Sequence, residues 1–152
     1  MLQPEPIVLY EAARDGKLDE VEAAVDAGAQ MEWANPDRWG RRAIHEASEA
    51  GHKDVVAFLG SRGADVNAVA DGQWTALHYA AYYRKASVCT TLLALGADPA
   101  AKDSDGKTAL DKAREEYYTE CVAVLEAWAA GERDPEALAK AAADAPPPVD
   151  DY

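Results

Sequence analysis

The 152-residue chain is predicted to be an all-α solenoid. It should hold four helix-turn-helix repeats with β-turn fingers, then a short C-terminal helix and a flexible tail. Three observations predict this. The tetrapeptide "RAIH" (Arg42 to His45) returns as "TALH" (Thr75 to His78) and "TALD" (Thr108 to Asp111), each 33 positions on. A fixed period of that length marks stacked repeats. Each period holds two short apolar runs at helical spacing, such as Ala76, Leu77, Ala80 and Ala81, then Val88, Leu92 and Leu93. Such helices are too short to stand alone in water, so neighbouring units must stack. Finally, glycine follows each second run, as Gly63 and Gly96 do, where a left-handed residue ends a helix.

The elements follow in order. Residues 1–35 form an N-terminal capping repeat, read from "LYEAARDGKLDEVEAAVDAGA" (Leu9 to Ala29), which lacks a leading turn. Residues 36–69 form the second repeat. Gly28 and Gly63 are 35 positions apart, so two extra residues in "MEWANPD" should bulge the first finger. Residues 70–102 form the third repeat, with Thr75 as N-cap of its first helix. Gly72 falls one position before the expected turn glycine, where Gln73 stands, so an altered finger is expected. Residues 103–131 form the C-terminal capping repeat. Glu126 there takes a place where inner units carry residues of the Leu93 and Leu59 type, which suits an outer face without a further neighbour. In residues 132–152, Asp134 and Pro135 read as N-cap and N1 of a helix to about Ala143. "APPPVDDY" then predicts a mobile, acidic polyproline tail.

These units resemble the ankyrin repeat family. Its pattern is D-x-x-G-x-T-P-L-H, two alanines, a glycine, a second helix and G-A-D-V-N. "DRWGRRAIHEASEAGHKDVVAFLGSRGADVNA" (Asp37 to Ala68) carries nearly all of it, and "DSDGKTALDKA" (Asp103 to Ala113) repeats the turn. The resemblance spans residues 6 to 131, and size and repeat number look like those of small stand-alone four-repeat members. Alanine replaces the pattern's proline at Ala43, Ala76 and Ala109. The glycine ending the first helix is kept at Gly16 and Gly51 but becomes Arg84 and Tyr117, which should adopt positive φ. By resemblance, His45 and His78 splice neighbouring turns. His52 occupies a consensus position without that role, so His78→Ala should cost more stability than His52→Ala.

Charge and motif content exclude several functions. The chain has 28 acidic and 15 basic residues and a net charge of −13. Such a chain repels phosphate backbones, so no nucleic-acid partner is expected. No apolar run approaches the ~20 residues of a membrane span, and the N-terminus lacks the basic region of a secretory signal. Cys89 and Cys121 stand in no metal or redox spacing and read as small buried thiols. Three histidines spread over two repeats make no metal set. No hydrolase, phosphate-loop, dinucleotide or zinc-protease motif occurs, so no catalysis and no cofactor are expected. Carboxylate neighbours such as Glu115 and Glu116 carry little information in an acidic chain. An intracellular, cytoplasmic or nuclear protein, monomeric when free, is the expectation.

Binding remains. The resemblance implies a concave groove lined by finger residues and first helices, and partners that are proteins. Mapped onto this chain, the candidate contact residues are Arg38, Trp39, Arg41, Trp74, Tyr79, Tyr82, Tyr83, Arg84 and Lys107. Trp, Tyr and Arg are the residue types enriched at interface hot spots. The alternative for the tryptophans is a stack of Trp39 on Trp74 between fingers, and both roles can hold. Asn67 is a candidate hydroxylation site, since Leu59 precedes "Asp65-Val66-Asn67" at the spacing that some hydroxylated relatives show. The expected function is a non-catalytic adaptor, inhibitor or scaffold. Its alternative is a stoichiometric structural subunit of a large assembly.

Overall fold

A computed structural model describes residues 5–147. Positions 1–4 and 148–152, the latter the end of the predicted tail, lie outside the described residues. The chain is an all-α solenoid. Its helices are α1 (Pro6–Asp15), α2 (Leu18–Asp26), α3 (Ala43–Ala50), α4 (Lys53–Ser61), α5 (Ala76–Tyr82), α6 (Ala86–Ala94), α7 (Ala109–Glu115), α8 (Thr119–Ala129) and α9 (Pro135–Ala143). First helices α1, α3, α5 and α7 stack in one layer, and second helices α2, α4, α6 and α8 in another. Among the described residues, extended structure is limited to two isolated bridges, Asn35 with Arg41 and Ala70 with Trp74. No described helix is long and apolar enough to cross a membrane.

Local chemistry starts each first helix. Thr75 Oγ1 accepts from the His78 amide at 3.3 Å, and His78 Nδ1 accepts in return from the Thr75 amide at 3.1 Å. Thr108 and Asp111 repeat the exchange. Such reciprocal caps satisfy donors that a helix start leaves orphaned. Four residues close the first helices in left-handed backbone: Gly16 (φ 72°), Gly51 (φ 86°), Arg84 (φ 64°) and Tyr117 (φ 57°). The glycine register therefore located both strained residues. A side chain there costs about 1–2 kcal/mol.

Packing lies between the layers. Val21, Val55, Val56, Leu59, Val88, Leu92 and Val124 are fully buried. The first helices contribute alanines, with Ala13, Ala47, Ala80, Ala81 and Ala113 at zero exposure. Small residues let helix backbones approach closely, which the short period requires. Cys89 and Cys121 are free thiols buried in this core.

Histidines tie the repeats together. His45 Nε2 meets the Ala68 carbonyl at 2.9 Å, and His78 Nε2 meets the Lys107 carbonyl at 2.9 Å. In each ring Nδ1 accepts from the preceding cap amide, so Nε2 carries the hydrogen and donates. The expectation for His52 needs correction, because it also crosses between repeats. Its Nε2 bonds the Arg14 carbonyl at 3.0 Å, and its ring lies against Gly16. This bond is exposed whereas the His45–Ala68 bond is buried.

The C-terminal end also departs from expectation. The last repeat does have a further neighbour, since α9 folds back onto α8 and reaches α6. Leu138 anchors it and is fully buried. Asp134 Oδ1 accepts from the Glu136 amide at 3.3 Å and caps the helix. Glu126 remains exposed and pairs with Arg114 at 2.8 Å. The Leu59 register is held by Leu92 and Leu125, both buried, so Glu126 follows Leu93 alone.

Candidate functional site

The three fingers share one hydrogen-bond frame. Asn35 N–H bonds the Arg41 carbonyl, Ala70 N–H that of Trp74, and Asp103 N–H that of Lys107. Arg41, Trp74 and Lys107 are thus equivalent, 33 positions apart. The two extra residues lie between Asn35 and Arg41, at the tip of the first finger. The longer tip holds Trp39 and Gly40 at φ 56° and 69°. In the second finger Gly72 and Gln73 sit at φ 75° and 61°, which is the altered turn. Fingers are stitched to each other as well: Asp71 N–H donates to the Trp39 carbonyl, and Ser104 N–H to that of Gly72.

Side chains on the finger side form a ladder across all four repeats. Trp33 meets Tyr10 edge to face, with centroids 5.7 Å apart. Tyr10 donates its hydroxyl to Glu46, a carboxylate only 3% exposed. Burial, with the Glu46 bond adding to it, drives that phenol well above its usual range. Arg38 reaches Glu46 at 3.2 Å and Arg41 at 3.5 Å, and Arg41 also bonds Glu49. The Arg41 guanidinium then lies 4.4 Å from the Tyr79 ring centre. Tyr79 packs on Trp74 at 5.0 Å, and Lys112 Nζ lies 5.0 Å over Trp74 while pairing with Asp103 at 3.2 Å. Charges buried this way are tolerable because each finds a partner.

The ladder sorts the candidate residues. Trp39 is 58% exposed, flanked by Arg38 and Arg41 at 5.6 and 5.4 Å. Tyr83 is exposed and packs on Tyr82 at 5.1 Å, and Tyr82 packs on Trp74 at 5.3 Å. Arg41 and Tyr79 are buried. An open cleft of about 400 Å³ brings Trp39, Arg41, Trp74, Tyr79 and Tyr83 together with Asp71 and Gly72. Four candidates do not line it: Arg38, Tyr82, Arg84 and Lys107. Lys107 pairs with Glu115, and Arg84 stacks on Tyr118 at 5.3 Å beside a separate cavity. The proposed Trp39–Trp74 stack does not form: Trp74 packs on Tyr79, Tyr82 and His78 instead. The two tryptophans are 35 positions apart, two more than the period, so they occupy different finger positions.

Glu46 and Lys112 were missed by reading for aromatic and exposed types. Register holds the missing signal. Glu46, Tyr79 and Lys112 each follow the splice position at 33-residue spacing, so they share one column of the stack. Asn67 lies between fingers. Its side-chain nitrogen donates to the Gly96 carbonyl at 3.2 Å and its oxygen accepts from the Asp98 amide at 2.8 Å.

Comparison with known proteins identifies the repeats. A family profile described as ankyrin repeats (many copies) matches residues 9–59 and 45–93. The chain is 38% identical over 107 residues to E3 ubiquitin-protein ligase hecd-1 of Caenorhabditis elegans, covering 70% of this chain and 4% of that protein. It is 35% identical over 122 residues to RelA-associated inhibitor of Mus musculus, covering 78% and 15%. It is 30% identical over 104 residues to protein phosphatase 1 regulatory subunit 27 of Mus musculus, covering 68% and 66%. The chain therefore spans less than a sixth of the first two relatives.

Proposed function

Because the chain belongs to the ankyrin repeat family, we propose that it acts as a non-catalytic adaptor, inhibitor or scaffold. It binds a partner protein through the finger side, at the cleft bounded by Trp39, Trp74 and Tyr83. Trp39 carries this reading. A tryptophan held at φ 56° and 58% exposed carries a backbone cost and gains little burial to offset it. Strained backbone under an exposed aromatic is the pattern of a contact residue. Preformed fingers also lose little entropy on binding. Two similar proteins are named as an inhibitor and as a regulatory subunit, which supports regulation by binding.

The reading includes an intracellular, cytoplasmic or nuclear setting, supported by two free buried thiols, and a monomeric free state. Asn67 hydroxylation belongs to the same setting, and mass spectrometry of native material for an added oxygen tests it. The main test is a native pull-down comparing the wild type with Trp39→Ala/Tyr83→Ala, both confirmed folded by circular dichroism. A partner held by the wild type and lost by the variant supports the cleft. A partner retained by both moves the interface elsewhere.

A further inference from the structure

We propose that the Trp39–Trp74–Tyr83 cleft takes a proline-rich segment in polyproline-II conformation, with a basic side chain seated against Asp71. This ligand class rests on the binding face proposed above. Charge is the first observation. Arg38, Arg41, Lys107 and Lys112 each already bond a carboxylate of this chain. Asp71 lines the cleft and makes no ion pair among the described residues. The free charge of the cleft is therefore negative, on a chain of net charge −13. An acidic segment is repelled and a basic one is drawn in.

Hydrogen bonding is the second. The indole N–H groups of Trp39 and Trp74 and the hydroxyl of Tyr83, all lining the cleft, have no hydrogen-bond partner among the described residues. The cleft thus offers donors. A polyproline-II segment offers what they need: its carbonyls make no internal bonds, and its prolines bring no donors of their own. A helix has satisfied its carbonyls internally and presents none along its face. A lone organic cation fits worse, since Lys112 lies over the Trp74 ring and Arg41 over the Tyr79 ring. A cleft of about 400 Å³ suits one polyproline turn, about three residues and about 9 Å long. Aromatic walls against proline rings complete the match.

The test uses the full chain as bait for a displayed library of random twelve-residue peptides. Selected peptides are then measured by calorimetry against the wild type, Trp39→Gly, Tyr83→Ala and Asp71→Asn. The expected peptides are proline-rich with an Arg or Lys at a fixed offset. Trp39→Gly should weaken them at least about tenfold, the loss typical of a hot-spot residue. Its melting temperature should not fall, because glycine suits φ 56°. Asp71→Asn should weaken the peptides several-fold and leave peptides without the basic residue unaffected. Enrichment of proline-free or acidic peptides that Trp39→Gly still releases overturns the ligand class and leaves the binding face standing. Peptides indifferent to both Trp39→Gly and Tyr83→Ala overturn both. An unenriched library overturns the ligand class.

Discussion

Acidification from pH 7 to pH 5 should weaken the fold through the two splice histidines. Burial pushes His45 down from 6.5 to about 4, and burial lowers His78 as well. A lowered histidine is neutral in the folded state and charged in the unfolded chain at intermediate pH. The unfolded state then binds more protons, so stability falls as pH drops below 6.5 and stops falling near the folded value. His45 alone is worth about 2 kcal/mol at pH 5 and roughly 3 kcal/mol near pH 4. Protonating carboxylates relieves the repulsion of a chain at −13, which acts in the opposite direction. A difference measurement removes that background. Urea unfolding followed by circular dichroism at both pH values, for the wild type and His45→Gln, supplies it. His45→Gln starts weaker at pH 7 because the Arg42 amide loses its Nδ1 acceptor. Its loss between pH 7 and pH 5 should be smaller than that of the wild type by about 2 kcal/mol. The same loss in both proteins would refute the assignment of the effect to His45.

Other perturbations have defined outcomes. Gly16→Ala should cost about 1–3 kcal/mol, since a Cβ there meets the His52 ring at 2.5 Å and φ is 72°; combining it with His52→Ala should be less than additive in thermal melts. His78→Ala should lower the melting temperature more than His52→Ala, because the His78 ring is buried and its bond joins successive fingers while the His52 bond is exposed. Leu138→Ala should cost about 2–4 kcal/mol and free α9 from α8, read as faster amide exchange confined to residues 135–143. Glu46→Gln should destabilise by about 2 kcal/mol, because Arg38 and Arg41 lose a shared buried partner while Glu49 still holds Arg41; an unchanged urea midpoint would contradict the ladder.

The sequence determined what repeats along it. A period of 33 placed each finger, cap and splice histidine, because every unit solves the same packing problem as its neighbour. The same register marked Arg84 and Tyr117 as left-handed, since backbone conformation follows position in the repeat. Asp134 and Pro135 gave the start of α9 through purely local capping chemistry. Tertiary structure decided what crosses between units. Glu46 looked like one acid among 28, and only stacking put it beneath Tyr10, Arg38 and Arg41. His52 gained its bond to Arg14 from the approach of α1 to the α3–α4 turn. Two residues added to the first finger carried Trp39 out of register with Trp74, leaving one ring bare and the other packed. The bonds that cross between units here, Tyr10 to Glu46 and His52 to Arg14, join residues 36 and 38 positions apart in chain order. Their energies depend on distance and burial, and no local pattern encodes either.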